Sequence, residues 1–356
     1  MAKSKDIIGI DIGSSSVKLV ELKQTKKGYR LANLGLVYIP PETIVDGSLM
    51  NAPALQEKIQ ELMQSQKVKI KDCASSVSGH SVILKKVPFP ASITDEELAE
   101  EIRVEAGTYI PHDLDEVYMD YYKMDPQPGA EQAEVILAAV KRDHMNDYIN
   151  VLKDSGLNPV VMDLDAFALQ NMFEANYSLD PVEMVALINV GASITNINII
   201  RGGSSLFTRD VSQGGEQYTE EIQKALNVSY EEATAMKMGG EAEGESEEVI
   251  PQEVSDVIRS VSESIATEVM KSLDFYLSSA GDASIGKIYL TGGCSRLQGL
   301  DKVIEDKTGY PVELINPFNG IECNTKQFPS EELAKLAPSM SVAVGLALRR
   351  PGDKWL

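Results

Sequence analysis

The sequence predicts an α/β protein of two similar halves facing each other across a cleft. Three stretches carry that expectation. In Ile7–Leu22 an apolar run to Ile12, broken by Asp11, meets Gly13 and Ser14, Ser15 and Ser16, and a β-branched run from Val17 to Leu22 follows. That pattern is strand, tight turn, strand. Ala186–Ile200 repeats it, with Asn189, Gly191, Ser193 and Thr195 at the polar positions. Asn189 follows Asp11 by half of the 356-residue chain, the period of an internal duplication. In Ile288–Leu300 a short apolar strand runs into Gly292-Gly293 and then into a helix carrying Leu297, Leu300, Val303 and Ile304.

The chemistry of these stretches points to a phosphate. A carboxylate such as Asp11 at the end of an apolar strand is costly unless paired, and a metal-bound phosphate is one partner that fits. Gly13 lets the backbone approach closely. The amides and hydroxyls of Ser14, Ser15 and Ser16 can line an anion, with Lys18 supplying a point charge. An ordinary hairpin whose serines shape the turn has the same spacing, so one hairpin leaves both readings open. Two hairpins looking into one cleft favour the phosphate. At the third stretch, Gly292 and Gly293 let a flat ring lie against backbone, and a helix N-terminus favours an anion.

Taken in order, Tyr29–Ile39 reads as a third strand, stopped by Pro40-Pro41. Leu55, Ile59, Leu62 and Met63 recur at helical spacing and predict a helix over 53–65. Ala74–Val87 predicts one or two strands before Pro88-Phe89-Pro90. Thr94-Asp-Glu-Glu97 has capping-box spacing ahead of Leu98, Ile102 and Ala106, and Tyr109-Ile110-Pro111 ends that helix. Val117–Met124 and Glu134–Val140 predict strands joined by a loop over Pro126–Gln132, and Met145, Tyr148, Ile149 and Leu152 predict a further helix.

The two hairpins, a connecting helix between them and the Gly-Gly motif resemble the actin, Hsp70 and sugar-kinase superfamily, with its actin-like, ribonuclease H-like duplicated fold. The α+β unit inserted at 77–158, carrying Glu101-Ile-Arg-Val-Glu105-Ala-Gly-Thr-Tyr109-Ile110-Pro111, resembles the inserted subdomain shared by the FtsA and PilM families. Nearly all of the chain is similar to the PilM family of type IV pilus assembly proteins, and more distantly to FtsA. The resemblance implies a first half of 1–76 plus 159–185 and 340–356, and a second half of 186–213 plus 285–339. It also implies a helical nucleotide-closing subdomain over 214–284.

Val160–Asp163 then predicts a short strand entering a helix at Asp165. The resemblance places Asp165 before the γ-phosphate, where a carboxylate can orient a water or hold a magnesium-bound water. Helix capping by Asp163 or Asp165 is the alternative. Leu206–Val211 is a strand, and Gly214-Gly215 opens a helix with Tyr218, Ile222, Ala225 and Leu226 inward. Ser229-Tyr-Glu-Glu232 is a second capping box, on a helix reaching Lys237. By resemblance Gly214 and Gly215 approach phosphate, and Glu232 or Lys237 the ribose and adenine. The same resemblance assigns Gly191, Ser193, Gly292, Gly293 and Arg296 to the nucleotide, and Asp11 to the metal. Glu241–Glu253 reads as an exposed acidic loop. Val254 to Leu277 reads as one long helix whose apolar stripe is core, its other face being Ser, Glu, Asp, Arg and Lys. Met340–Leu348 matches the second connecting helix, where Gly345 permits close helix packing. Arg349–Leu356 is too short and irregular for the membrane-binding tail of FtsA.

With 33 basic and 54 acidic residues, net charge −21, the chain is unsuited to nucleic acid or to direct adhesion to an anionic membrane. It lacks a long apolar run, a signal-peptide pattern, a P-loop and a Gly-x-Gly-x-x-Gly motif. Cys73, Cys294 and Cys323 are scattered, as suits a reducing cytosol, and the three histidines have no ligand spacing.

The resemblance implies an ATP- and Mg2+-binding scaffold, cytoplasmic and peripheral at the inner membrane through partners. The partner it implies is the N-terminal cytoplasmic peptide of PilN, docked between the first half and the insertion near Val82–Phe89. Other pilus assembly proteins, including the assembly ATPases, and a homo-oligomer are compatible with it. Asn189 stands where actin-like hydrolases usually carry Asp, which predicts tight ATP binding with slow or no turnover. A filament-forming ATPase like FtsA or MreB, and a small-molecule kinase, are the alternatives.

Overall fold

The computed structural model describes residues 6–125, 129–239, 251–281 and 283–353. The chain opens with β1 (Ile8–Ile12), β2 (Ser16–Thr25), β3 (Gly28–Tyr38) and a short ribbon, β4 (Ile44–Val45) and β5 (Ser48–Leu49). Helix α1 (Ala52–Ser65) starts where the Asn51 side chain accepts from the Ala54 amide, and buries Leu55, Ile59, Leu62 and Met63. Strands β6 (Asp72–Val77) and β7 (Val82–Pro90) lead into α2 (Asp95–Tyr109), whose capping box joins Thr94 and Glu97. Then come β8 (Val117–Lys123), β9 (Gln132–Lys141), α3 (Arg142–Asp154), β10 (Asn158–Leu164) and α4 (Asp165–Asn176). The second half runs β11 (Met184–Val190), β12 (Thr195–Arg201), β13 (Ser204–Val211), α5 (Gly215–Leu226), α6 (Tyr230–Lys237) and α7 (Gln252–Ser279). The chain closes with β14 (Lys287–Thr291), α8 (Leu300–Thr308), β15 (Val312–Leu314), β16 (Ile321–Glu322), α9 (Ser330–Leu336) and α10 (Ser341–Leu348).

Two mixed sheets form the frame, ordered β10-β6-β1-β2-β3-β16 and β13-β12-β11-β14-β15. The duplication reaches individual hydrogen bonds. In the first hairpin Ile12 pairs with Val17 and the Gly13 amide donates to the Ser16 carbonyl at 3.1 Å. In the second Val190 pairs with Thr195 and the Gly191 amide donates to the Ile194 carbonyl at 2.9 Å. Each central strand takes its other neighbour in parallel, β6 beside β1 and β14 beside β11. The insertion is a three-stranded sheet, β7-β9-β8, packed through Val87, Phe89, Val135 and Leu137 on Leu98, Ile102 and Ala106 of α2.

Helices α4 and α10 pack between the two sheets. One apolar cluster takes Val20 and Leu31 from the first sheet, Val185 and Leu187 from the second, Leu169 and Phe173 from α4, and Ala343 and Ala347 from α10. Gly345 has no room for a side chain, since a Cβ there would lie 1.7 Å from the Ala168 carbonyl oxygen. Gly9 is equally tight, 2.2 Å from the carbonyl oxygen of Ala343.

Several expectations need correction. Ala225 is exposed, whereas Thr219, one turn after Gly215, is fully buried beside Tyr218 and Ile222. The helix after Gly292-Gly293 starts only at Leu300: a 3-10 turn over Gly293–Arg296 intervenes, and Gly299, at φ +84°, separates Leu297 from α8. Neither aspartate caps α4; its N-cap position is Leu164, with no side-chain cap. The segment after β15 leaves the second sheet, because Ile321–Glu322 pairs with Tyr29–Arg30 and completes the first sheet's edge. Of the acidic stretch Glu241–Glu253, positions up to 250 lie outside the described residues, and Gln252 and Glu253 already belong to α7. Residues 126–128 of the Pro126–Gln132 loop, and 354–356 of the final segment, also lie outside them.

Candidate functional site

The two hairpin turns and the Gly-Gly turn open onto one cavity between the sheets. Asp11, Gly13, Ser14, Ser15 and Lys18 line it from the first half, Asn189, Gly191 and Ser193 from the second, and Gly292 and Gly293 close one side. Asp165 reaches it from the start of α4. This convergence is what the fold provides: β1 and β11, each flanked in parallel, end at the same cleft, the usual place for a ligand in an open α/β sheet.

Charge in the cavity is divided. Lys18 Nζ lies 3.3 Å from Asp11 Oδ2, both side chains largely buried and directly opposite in the hairpin register. Burial pushes the Asp165 carboxyl up to about 7, with repulsion from Asp11 next, while hydrogen bonds from Ser76 and Ser78 pull the other way. Ser76 Oγ donates to Asp165 Oδ1 at 2.6 Å. Two carboxylates beside a phosphate cradle repel the anion unless a cation lies between them. Among the described residues no group of three or more His, Cys, Asp or Glu could hold a metal. Magnesium needs none, since it is typically held by one or two carboxylates, waters and substrate phosphates. The donor set Asp11, Asp165 and hairpin backbone therefore fits a magnesium-bound nucleoside phosphate.

Other expected site residues lie elsewhere. Ser16 is buried at the head of β2, behind the turn. Gly214 and Gly215 dock α5 onto the second turn: the Gly215 amide donates to the Gly191 carbonyl at 2.9 Å and the Glu216 amide to the Ala192 carbonyl at 2.8 Å. A Cβ on Gly215 would meet Cys294 Sγ at 2.3 Å, so packing demands the glycine. Burial pushes the Cys294 thiol up to about 11. Ser193 stays on the wall of the first cavity, where its hydroxyl donates to the Glu216 carboxylate at 2.5 Å. Glu232 is exposed, its carboxylate accepting from the Ser229 amide and hydroxyl of its own cap.

Lys237 and Arg296 line a second cavity of about 420 Å³, with Ile258, Ser262, Leu297 and Gln298. Lys237 Nζ donates to the Gly215 carbonyl at 3.1 Å and to Thr219 Oγ1 at 2.8 Å, and burial lowers its pKa. The turn over Gly292–Arg296 separates the two cavities, with its glycines on the first and Arg296 on the second.

Sequence reasoning missed Ser76, Ser78, Tyr148, Asn196 and Ser339, which also line the first cavity. Ser76 and Ser78 stand at and just beyond the carboxyl end of β6, beside Asp11's strand. Small hydroxyl residues on either side of the end of a strand, next to a hairpin that turns at a glycine, were the available signal. Asn196 becomes visible only once the register sets it opposite Asn189.

The family described as "Type IV pilus assembly protein PilM" matches residues 9–351. A solved "PilM-PilN type IV pilus biogenesis complex" superposes at a TM-score of 0.86 with 29% identity, covering 97% of this chain and 98% of that one. The cell division protein FtsA of Pseudomonas aeruginosa is 22% identical, over 88% of this chain and 84% of its own length. MreB5 of Spiroplasma citri, solved bound to ADP, superposes at 0.52 with 12% identity over 96% and 94% of the two chains, a likeness of fold alone. The fold is actin-like, and the chain belongs to the PilM family of type IV pilus assembly proteins.

Proposed function

We propose that this chain is a scaffold of type IV pilus assembly that binds ATP with Mg2+ between its halves and turns it over slowly or not at all. A PilN-type partner peptide docks on it. The observation that carries the nucleotide reading is the convergence of both glycine turns, Lys18, Asp11 and Asp165 on one cavity. Asp11 and Asp165 would hold the metal, which supplies charge neutralisation for the phosphates. The turns at Gly13–Ser15 and Gly191–Ser193 would offer backbone donors to the anion. The second cavity, beside Arg296 and Lys237, would take the nucleoside. Its volume of about 420 Å³ falls within the usual size of small-molecule pockets. Asn189 supplies no charge and takes up protons poorly.

Thermal unfolding with and without millimolar Mg·ATP tests this reading. At micromolar affinity, linkage gives about 4 kcal/mol of added stability, a rise of several degrees. An unchanged midpoint, with no nucleotide carried through purification, would sink it.

For the peptide, the neighbourhood of Val82–Phe89 offers two different faces. Val82 and Leu84 pack towards the first half, while Val87 and Phe89 turn to α2. A small cavity lies where the insertion and the first half meet the turn at Gly203–Ser205, lined by Tyr122, Met124 and Ile136 and by Asp163, Phe167, Asn171 and Arg349. Asp163 Oδ2, Asn171 Nδ2 and Arg349 Nε are buried there without hydrogen-bond partners, although Arg349 and Asp163 form an ion pair at 3.2 Å. Apolar walls beside the Asn171 amide suit one apolar anchor side chain of an extended peptide, with a backbone carbonyl next to it. Tyr122→Ala should weaken a fluorescent N-terminal PilN peptide about tenfold or more. The Mg·ATP-induced shift should persist in that variant. Unchanged peptide affinity would move the groove elsewhere. Among the described residues no helix is long and apolar enough to cross a membrane, so the proposed attachment to the inner membrane runs through the partner.

A further inference from the structure

Three residues at one register position run across the second sheet. Asn189 on β11 stands directly opposite Asn196 on β12, which stands opposite Asp210 on β13. Asn189 Nδ2 donates to Asn196 Oδ1 at 2.8 Å, and Asn196 Nδ2 donates to Asp210 Oδ1 at 2.8 Å. The other oxygen of Asp210 accepts from the Gly79 amide at 2.6 Å, across the gap between the halves. Asn196 is almost fully buried.

An amide side chain can face either way, so its orientation is set by its partners. A carboxylate accepts but does not donate. With Asp210 at the end of the row, Asn196 must turn its amino group outward to Asp210 and its oxygen inward to Asn189. Asn189 must then spend its amino group on Asn196. What remains to face the nucleotide cavity is the oxygen of Asn189, 2.7 Å from where a Cβ on Gly292 would stand.

We infer that Asp210 is a positioning residue that fixes, through Asn196, the polarity of Asn189, so that position 189 presents an acceptor oxygen to the hydrated metal of a bound nucleotide. Asn189 thus supplies the acceptor that a carboxylate would have supplied, without its charge. The Gly79 amide holds Asp210 in place, and His80 Nε2, 2.8 Å from Ser212 Oγ, braces the same contact. The inference rests on the proposed nucleotide site.

Asp210→Asn tests it at constant volume. The new amide keeps an oxygen for the Gly79 amide and gives its amino group to Asn196. Both asparagines then turn over, and an amino group faces the cavity. Affinity for ATP measured with Mg2+ should fall about tenfold or more, the usual cost of losing an outer partner of a metal site. Affinity for ATP in EDTA should stay within about twofold. In an Asn189→Ala background the same substitution should change neither value. Equal losses with and without metal, a further loss in the Asn189→Ala background, or no loss at all would overturn the assignment. A wild-type protein that binds no ATP would remove the nucleotide site and this inference together. Binding with an unchanged metal dependence would remove this inference alone.

Discussion

Gly345→Ala should cost most of the stability of the fold. The added methyl would sit 1.7 Å from the carbonyl oxygen of Ala168 and 2.5 Å from its carbon, both backbone atoms of α4 that no rotamer change can move. Helices α4 and α10 would have to separate, and they form the layer between the sheets. Ordinary overpacking costs about 1–3 kcal/mol, and a backbone clash of this depth exceeds it. Against a typical stability of about 5–15 kcal/mol that is a large share. We expect a fall of roughly 10 °C in the unfolding midpoint, or loss of soluble protein. Gly107→Ala is the control: it lies in α2 with nothing within 4 Å of the added carbon. There the alanine should stabilise by about 0.5–1 kcal/mol. Equal effects at the two sites would show that helix propensity, and not the α4–α10 contact, governs these glycines.

That contrast also marks what the sequence could disclose. Gly345 is readable because an apolar helix with a single glycine among alternating small residues announces a close approach. The hairpins are readable because strand, glycine and strand recur at half the chain, and the structure returns the same turn hydrogen bond at Gly13 and Gly191. At Gly214-Gly215 the sequence announces an approach without naming its object. The object is the second turn and Cys294 Sγ, and no ligand is needed to explain the glycines. Ala225 fails for a related reason, since helical spacing fixes a face only to within one residue and Thr219 occupies the tighter position. Asp210 and Gly79 are 131 positions apart. Their bond depends on how the two sheets meet, which no local pattern encodes. Asp165 lies between these cases: its place at a strand-to-helix junction is local, but its burial beside Asp11 and Ser76 is tertiary.

That burial makes Asp165→Asn the second large effect, and one with a pH signature. The Asp165 carboxyl is raised from an ordinary 3.8 to about 7, first by burial and then by Asp11. Protonation is therefore favoured in the folded state relative to the unfolded chain. The stability this confers is fully present below the unfolded value and is lost as pH rises through the folded one. Above pH 7 the folded protein carries the whole cost of an ionised Asp165, at most about 4 kcal/mol at roughly 1.4 kcal/mol per unit. Water entering the cavity lowers that figure, since Asp165 is only partly covered. Asparagine removes the titration while its oxygen still accepts from Ser76. In denaturant melts of nucleotide-free protein the variant should be the more stable, by a margin that widens by about 2 kcal/mol between pH 5 and pH 8. Parallel pH profiles would mean that Asp165 is solvated and unstrained. If the carboxylate serves the proposed nucleotide site, the same variant should also gain less stability from Mg·ATP than the wild type. The strain is then the cost of holding a negative charge ready for a bound cation, a trade of stability for function common at binding sites.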